Sequence, residues 1–278
     1  MGLEKVTTFR KKELEIRANS NRVVYKADLQ RVGSLINESL ITLAEFDKLK
    51  NWEKTKETVV SRNLLVKRSS QTSQGILAVI EKRFLMNHEF LPKTEILAEA
   101  VSKHISKTIK VQLLYPYVCR SDSLIYNLLL KVVAERIDQP LATLTKADVL
   151  DFLENEQKVH PELKNWSDYL KRRWTRGFLA FLRDFNIMEK APSYRLLKPI
   201  VRVESFTFFM LGLLEKKPSS RGVFQSDIWG IFFMKASELE NFLIDAQAKG
   251  WIYYSRAGDI IELKPKYQME RWLNECLG

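Results

Sequence analysis

The most regular pattern in the chain is DYLKRRWTRGFLAFLRDF, residues 168–185. At about 100° per residue, its aromatic and leucine side chains fall on one side of a helix and its arginines on the other. The apolar side consists of Leu170, Trp174, Phe178, Phe181, Leu182 and Phe185. The opposite side carries Arg172, Arg176 and Arg183, with Lys171 and Arg173 at its edges. The segment therefore predicts a helix with one face in the core and one basic face.

The flanking sequence makes this helix the third in a group of three. A first helix is predicted at 124–137, and Thr145 is placed to cap a second, with Asp148 at the spacing of a capping box. After the third helix, residues 187–197 predict a small hairpin that turns at Pro192-Ser193. Three helices followed by a hairpin is the order of a winged helix, which is an elaborated helix-turn-helix.

The same order recurs towards the C-terminus. Helices are predicted at 203–214, 225–233 and 236–249, the last ending at Gly250, and a hairpin is predicted at 251–265. The outer side of the third helix in this group is acidic and carries Glu238, Glu240 and Asp245, with only Lys249 opposing them. Because carboxylates repel phosphate, this group favours protein docking over DNA reading.

Glycine and proline are scarce, at 10 and 8 in 278 residues, and apolar residues recur at spacings of three and four, so the chain is predicted to be mainly α. We expect a helical bundle with two winged-helix-like units, each of three helices plus a small β-hairpin. The expected divisions are a basic, flexible N-terminal segment, a helical domain and the two units, at 1–22, 23–123, 124–200 and 201–278. The helical domain is predicted to hold helices near 28–49, 53–65, 74–86 and 93–106, and an apolar stretch at 111–118.

Composition narrows the class of protein. Lys and Arg number 45 against 34 Asp and Glu, and the net charge of +11 favours an anionic partner. Two cysteines, Cys119 and Cys276, cannot build a disulfide framework, so we expect free thiols and a cytoplasmic location. The longest uncharged apolar stretch, 205–214, is about half the length of a membrane-spanning helix. No targeting signal is readable, and no membrane partner is expected.

Positive charge concentrates in the predicted third helix and the hairpin after it. Residues 168–198 contain eight basic and three acidic side chains, a net charge of +5. In helix-turn-helix proteins, a helix in this position enters the major groove of DNA. The candidate DNA-binding residues here are Lys171, Arg172, Arg173, Arg176, Arg183, Arg195 and Lys198. The alternative is a basic face that is only solvated.

A second basic stretch lies at 61–75, with three positive charges, no acid and many hydroxyl and amide groups. Such groups suit phosphate oxygens, and the serine and threonine run precedes a predicted helix whose N-terminus favours anions. The candidate residues in it are Arg62, Asn63, Lys67 and Arg68. An ordinary capping loop would have the same composition.

Catalytic signatures are missing from the sequence. It has no phosphate-binding glycine loop and neither a GxGxxG nor an HExxH spacing. His88, His104 and His160 lie far apart, and Cys119 sits in an apolar context with no neighbouring base. We therefore predict a non-enzymatic protein with no catalytic residues, no metal, no cofactor and no small-molecule substrate.

Four segments together resemble the BrxA family of the bacteriophage exclusion (BREX) defence systems. In chain order they are RVGSLINES at 31–39, VVSRNLLVKRS at 59–69, IEKRF at 80–84, and WTRGFL at 174–179 ahead of FNI at 185–187. The resemblance covers about residues 25–200. It implies a helical, non-enzymatic component that binds double-stranded DNA and works beside the methyltransferase, ATPase and phosphatase-like proteins of the system. It also raises the weight of Asn63, Lys67 and Arg68 as binding residues.

The sequence is compatible with three functions. The leading hypothesis is a double-stranded DNA-binding accessory protein of phage defence that binds mainly through backbone charge. The alternative is a scaffold that docks other BREX proteins through the acidic second unit and makes no nucleic-acid contact. An RNA-binding module is the least supported, because no base-stacking platform is evident.

Overall fold

The computed structural model describes residues 24–27, 29, 33–86, 88, 90–216 and 219–277, so the basic segment predicted at 1–22 lies outside the described residues. The described part is mainly α-helical, as predicted, and has one two-stranded hairpin. The first helices are α1 (Ile36–Leu49), α2 (Trp52–Ser61), α3 (Ser70–Ile80), α4 (Thr94–Ser102) and α5 (Lys107–Ser121). A π-helical turn, Glu81–Leu85, extends α3.

Polar side chains set the start of several of these helices. Asn51, Ser69 and Ser106 each accept a hydrogen bond from a backbone N–H of the first turn that follows. The helix predicted at 28–49 is shorter than expected, because α1 begins only at Ile36. Gly33 and Leu35 adopt left-handed backbone angles, with φ of 63° and 52°, which no helix continues through.

The apolar stretch predicted at 111–118 is the centre of α5, which carries Pro116 inside it. Seven consecutive residues of α5, 113–119, are buried, so this helix is surrounded by the rest of the protein. The hydroxyl of Tyr117 donates to the carbonyl oxygen of Pro92 at 2.7 Å. Packing on all sides explains why α5 lacks the amphipathic period that marks the surface helices.

The segment predicted as the first unit, residues 124–200, contains most of α6 (Ser123–Leu128), a π-helical turn (Leu129–Val133) and α7 (Ala134–Arg136). It continues with α8 (Lys146–Glu156), a 3₁₀ turn (Pro161–Asn165) and α9 (Asp168–Asp184). The capping box predicted at Thr145 and Asp148 is confirmed, because each side chain accepts from the backbone N–H of the other.

The hairpin predicted at 187–197 is wrong as a pair of strands. Only isolated bridges form, one between Met188 and Leu196 and one between Thr143 and Arg195. Two residues limit pairing here, since Pro192 has no N–H to donate and Arg183 binds carbonyls on both sides of the turn.

The segment predicted as the second unit, residues 201–278, contains helices α10 (Val203–Lys216), α11 (Ser220–Phe224), α12 (Ile228–Ile231), α13 (Ala236–Ala248) and α14 (Met269–Glu275). Strands β1 (Ile252–Ala257) and β2 (Ile260–Pro265) form the predicted antiparallel hairpin, with Tyr254 opposite Leu263. The single helix predicted at 225–233 is wrong. Two short helices replace it, because Ser219 caps an earlier start and the indole of Trp229 donates to the Val223 carbonyl across the break.

Helix α5 contacts both predicted units, since the ring of Tyr115 stacks on Phe181 of α9. The hydroxyl of Tyr115 donates to the Ile231 carbonyl at 2.9 Å, and Arg120 forms an ion pair with Asp227. The side chain of Gln112 bonds to the backbone of both Ile200 and Arg202. The boundaries of the four expected divisions stay a prediction. No helix within the described ranges is long and apolar enough to cross a membrane.

Candidate nucleic-acid interface

Helix α9 has the two faces that its sequence predicts. Its buried side includes Trp174, Phe178, Phe181 and Leu182, and the rings of Trp174 and Phe178 stack with their centres 5.5 Å apart. Gly177 lies against the backbone of Leu29, where a Cβ atom would be 3.4 Å from the carbonyl oxygen. Helix α9 is thus held both by the first unit and by Leu29, which fixes the direction of its outer face.

Three arginines occupy that outer face. Arg172, Arg173 and Arg176 are exposed, and Lys171 is half-buried beside them. No carboxylate in the described part of the chain lies within ion-pair distance of these four side chains. Their positive charge is therefore available to an external anion.

Tyr169 was not among the predicted site residues, yet it lies on the same face. It precedes Arg172 and Arg173 by three and four residues, the spacing of helical neighbours. Its side chain is exposed. The helical spacing between Tyr169 and the arginines is visible in the sequence. Charge alone does not mark an uncharged tyrosine as a binding residue.

Arg183, further along α9, is engaged within the first unit. Its Nε donates to the Glu189 carbonyl at 3.2 Å and its Nη2 to the Ser193 carbonyl at 3.0 Å. Arg195 forms an ion pair with Glu189 at 3.4 Å. Both arginines support the turn that follows α9, and the structure does not leave them free as it leaves Arg172.

Lys198 is directed at the second unit. Its Nζ lies 2.8 Å from an oxygen of Glu238, near the start of α13, and 3.4 Å from Asp138. Lys235 pairs with the other oxygen of Asp138 at 3.0 Å, and this hydrogen bond, with help from Lys198, holds the pKa of Asp138 below its usual range. Lys198 therefore belongs to a network between the units, and its charge is already partly neutralised.

The basic loop at 61–69 has a structural role of its own. The Asn63 side chain accepts from the Lys67 N–H at 2.9 Å, and Asn63 itself has a left-handed φ of 47°. The Lys67 ammonium pairs with Glu38 at 2.7 Å, and although burial raises the pKa of Glu38, this hydrogen bond and the α1 backbone lower it overall. Arg62 and Arg68 are exposed.

The segments that carried the family resemblance meet in space. Arg83, which is 4% exposed, donates to the carbonyl oxygens of Ser34 at 2.9 Å and Gly33 at 2.7 Å. Lys67 reaches Glu38 in the same first segment. These residues hold the start of α1. A large part of the sequence pattern shared with the family therefore consists of residues that pack within this fold.

The acidic face predicted on α13 is partly neutralised. Glu238 pairs with Lys198, while Glu240 accepts from the Tyr254 hydroxyl and from Arg256, both at 2.8 Å. Asp245 is exposed. The repulsion of phosphate expected of this helix is therefore weaker than the sequence suggests.

Within the described residues, no cluster of three His, Cys, Asp or Glu side chains could hold a metal ion. His160 bonds to Glu162 at 3.1 Å and stacks on Tyr25 with a ring distance of 3.7 Å. Cys119 and Cys276 are free thiols, and burial raises the pKa of Cys119, which keeps that thiol in its unreactive protonated form.

Comparisons with known proteins place the chain in a family. In fold it is similar to a crystal structure of an uncharacterized protein from Magnetospirillum magneticum, with a TM-score of 0.57 and 17% sequence identity, covering 73% of this chain and 97% of that one. No curated protein matches the sequence significantly. A sequence profile described as BrxA matches residues 24–211, more than half of the chain. The chain therefore belongs to the BrxA family of the BREX defence systems.

Proposed function

We propose that this protein is a non-enzymatic component of its BREX system that binds double-stranded DNA through the N-terminal half of α9. The observation that carries the proposal is the exposed group of Arg172, Arg173 and Arg176, which has no ion-pair partner among the described residues, on one face of a well-packed helix. Arginines presented in this way neutralise phosphates and release counterions from DNA. A net charge of +11 adds long-range attraction to the same ligand.

The surroundings of α9 support a winged-helix interpretation of the first unit. Three short segments lie side by side, because Leu144 N–H donates to Tyr194, Leu196 N–H to Ala142 and Leu197 N–H to Ile187, at 2.9, 2.7 and 2.8 Å. One segment comes before the second helix, and two come after the third, which is the arrangement of a reduced wing sheet. In that interpretation α9 is the helix that enters the major groove.

Backbone contact fits these arginines better than base reading. Neither Asn nor Gln lies beside Arg172 and Arg176 to pair with adenine, and a defence protein that meets varied phage genomes gains little from a narrow site. Contacts to phosphate give affinity without sequence information. Binding should therefore be strong at low salt and similar for unrelated duplexes.

A second candidate function is a docking scaffold for other BREX proteins. Exposed apolar side chains in the second unit favour it, namely Ile244, Tyr253 and Ile260. The docking surface would then be apolar more than acidic, because Glu238 and Glu240 already have partners. The two candidates differ in whether α9 has an anionic ligand.

A salt series with duplex DNA, single-stranded DNA and RNA tests the proposal. The variant Arg172→Ala with Arg176→Ala should flatten the log–log slope of affinity against salt by about two units, since each lost phosphate contact removes roughly 0.9. It should also weaken binding to all duplexes alike. Wild-type and variant titrations by fluorescence anisotropy measure both quantities.

The matched control is Arg202→Ala with Arg221→Ala, which removes the same charge from two exposed arginines outside α9. We expect this control to keep the wild-type slope. Equal slopes for all three proteins would show that the α9 face is only solvated. If wild type does not bind duplex DNA even at low salt, the docking scaffold is favoured.

A further inference from the structure

Tyr169 is the most exposed aromatic side chain of α9. Its exposed fraction is 66%, whereas Trp174, Phe178 and Phe181 on the same helix are fully buried. Within the described residues its ring has no aromatic or cationic partner and its hydroxyl has no hydrogen bond. Most of this large amphipathic ring therefore lies in water at the first turn of the helix, where it is accessible to a ligand.

The position of Tyr169 relative to the arginines is regular. Tyr169, Arg172, Arg173 and Arg176 follow spacings of three and four and form one stripe. At 1.5 Å per residue the stripe is about 10 Å long, close to the roughly 12 Å width of the major groove of B-form DNA. The next residues along the stripe are Ala180 and Asp184, so its positive charge ends there.

We infer that Tyr169 is a DNA-contacting residue that lies in the major groove and supplies an uncharged contact beside the arginines. The inference rests on the proposed function and deepens it, because it names the ligand as B-form duplex DNA. The ring would pack on the edges of the bases whatever their sequence, and the hydroxyl can both donate and accept. The deep, narrow major groove of A-form RNA would exclude the same stripe.

An uncharged contact has its own signature in a salt series. Phosphate contacts release counterions and therefore set the slope of affinity against salt. The proposed contact of Tyr169 is not ionic, so its loss lowers affinity at every salt concentration and leaves the slope unchanged. This separates its contribution from that of Arg172 and Arg176.

The experiment compares Tyr169→Ala and Tyr169→Phe with wild type in titrations of duplex DNA over a salt series. We expect Tyr169→Ala to bind about tenfold more weakly with an unchanged slope, and Tyr169→Phe to stay within about twofold of wild type because the ring makes the contact. The matched control is Tyr253→Ala, which removes an exposed tyrosine from β1 in the second unit. This control should bind as wild type does.

The outcomes separate this inference from the proposed function. If wild type binds DNA and the α9 arginine variant flattens the slope, but Tyr169→Ala binds normally, the inference fails and the proposed function stands. Tyr169→Phe binding as weakly as Tyr169→Ala would overturn the contact by the ring. Equal affinity of wild type for a duplex RNA of the same length would overturn the groove assignment. Since Tyr169 is exposed and alanine favours helices, the unfolding midpoint of Tyr169→Ala should match wild type, which confirms that a loss of binding is not a loss of fold.

Discussion

At the scale of single residues, the partners of each basic side chain within the protein determine whether its positive charge can bind a ligand. Arg183, Lys67 and Lys198 all lie in basic stretches of sequence, yet each is taken up by carbonyls or carboxylates of the protein. Arg172 and Arg176 differ because no acid of the described chain reaches them. A guanidinium without an internal partner keeps its full attraction for phosphate, so these arginines carry the proposed interface.

We expect His88 to make the stability of the fold depend on pH. Its ring Nε2 lies 2.9 Å from the Arg83 carbonyl, and burial, together with Arg120 and Lys216, lowers the pKa of the imidazole below its usual 6.5. The unfolded chain therefore binds a proton more readily than the folded one as the pH falls below about 6.5. We expect the free energy of unfolding to decrease over that range, and His88→Gln to show a smaller decrease.

Urea unfolding at about pH 7.5 and about pH 5.5 measures the effect. His88→Gln keeps an amide that can donate to the Arg83 carbonyl, so it removes the titration and retains a donor. The same loss of stability in both proteins would mean that His88 does not cause the pH dependence.

At the scale of elements, local patterns were readable and long-range contacts were not. The two faces of α9 and the Thr145 capping box follow from residues a few positions apart, and both were predicted. The break at 225–227 depends on Trp229 bonding to Val223, and the poor pairing at 187–197 depends on Arg183. The same reason explains the site, because no sequence period shows that Lys198 meets Glu238, 40 residues away.

Replacing two helical glycines by alanine should change the stability of the protein in opposite directions. At Gly212 in α10 an added Cβ would lie 2.6 Å from Pro92 Cγ, whereas at Gly177 in α9 its nearest neighbour is 3.4 Å away. Gly212→Ala should destabilise the protein by about 1–3 kcal/mol, since the buried proline ring cannot move aside. Gly177→Ala should stabilise it by about 0.5–1 kcal/mol through helix propensity.

Each variant is the control of the other, since the chemical change is identical and both sites are helical. Thermal and urea unfolding give the two free energies. A loss of stability in Gly177→Ala would mean that the Leu29 backbone packs too tightly on α9 to admit a methyl group. Unchanged stability in Gly212→Ala would show that α10 and Pro92 can separate at little cost.

At the scale of the whole molecule, the second unit is held to the rest of the described chain by contacts of different kinds. Tyr115 provides a buried hydrogen bond to Ile231, Gln112 bonds both sides of the connection at 200–202, and the network of Lys198, Glu238, Asp138 and Lys235 lies nearer the surface. The position of the second unit relative to α9 is therefore determined at several points. The charged side chains of this network are paired with one another, so they stabilise the fold whether or not a ligand binds.

Variants of Lys198 distinguish a contact between the two units from a contact with DNA. It was predicted to bind DNA, but its partners in the structure are Glu238 and Asp138. We expect Lys198→Ala to keep the wild-type salt slope for duplex DNA, while the single variant Arg176→Ala loses roughly 0.9 from that slope. Lys198→Glu places a third carboxylate beside the other two, so it should lower the free energy of unfolding, by up to about 1 kcal/mol because the site is partly exposed. If Lys198→Ala instead flattens the slope as Arg176→Ala does, and Lys198→Glu unfolds as wild type does, Lys198 faces the DNA and the interface extends from α9 to the boundary of the second unit.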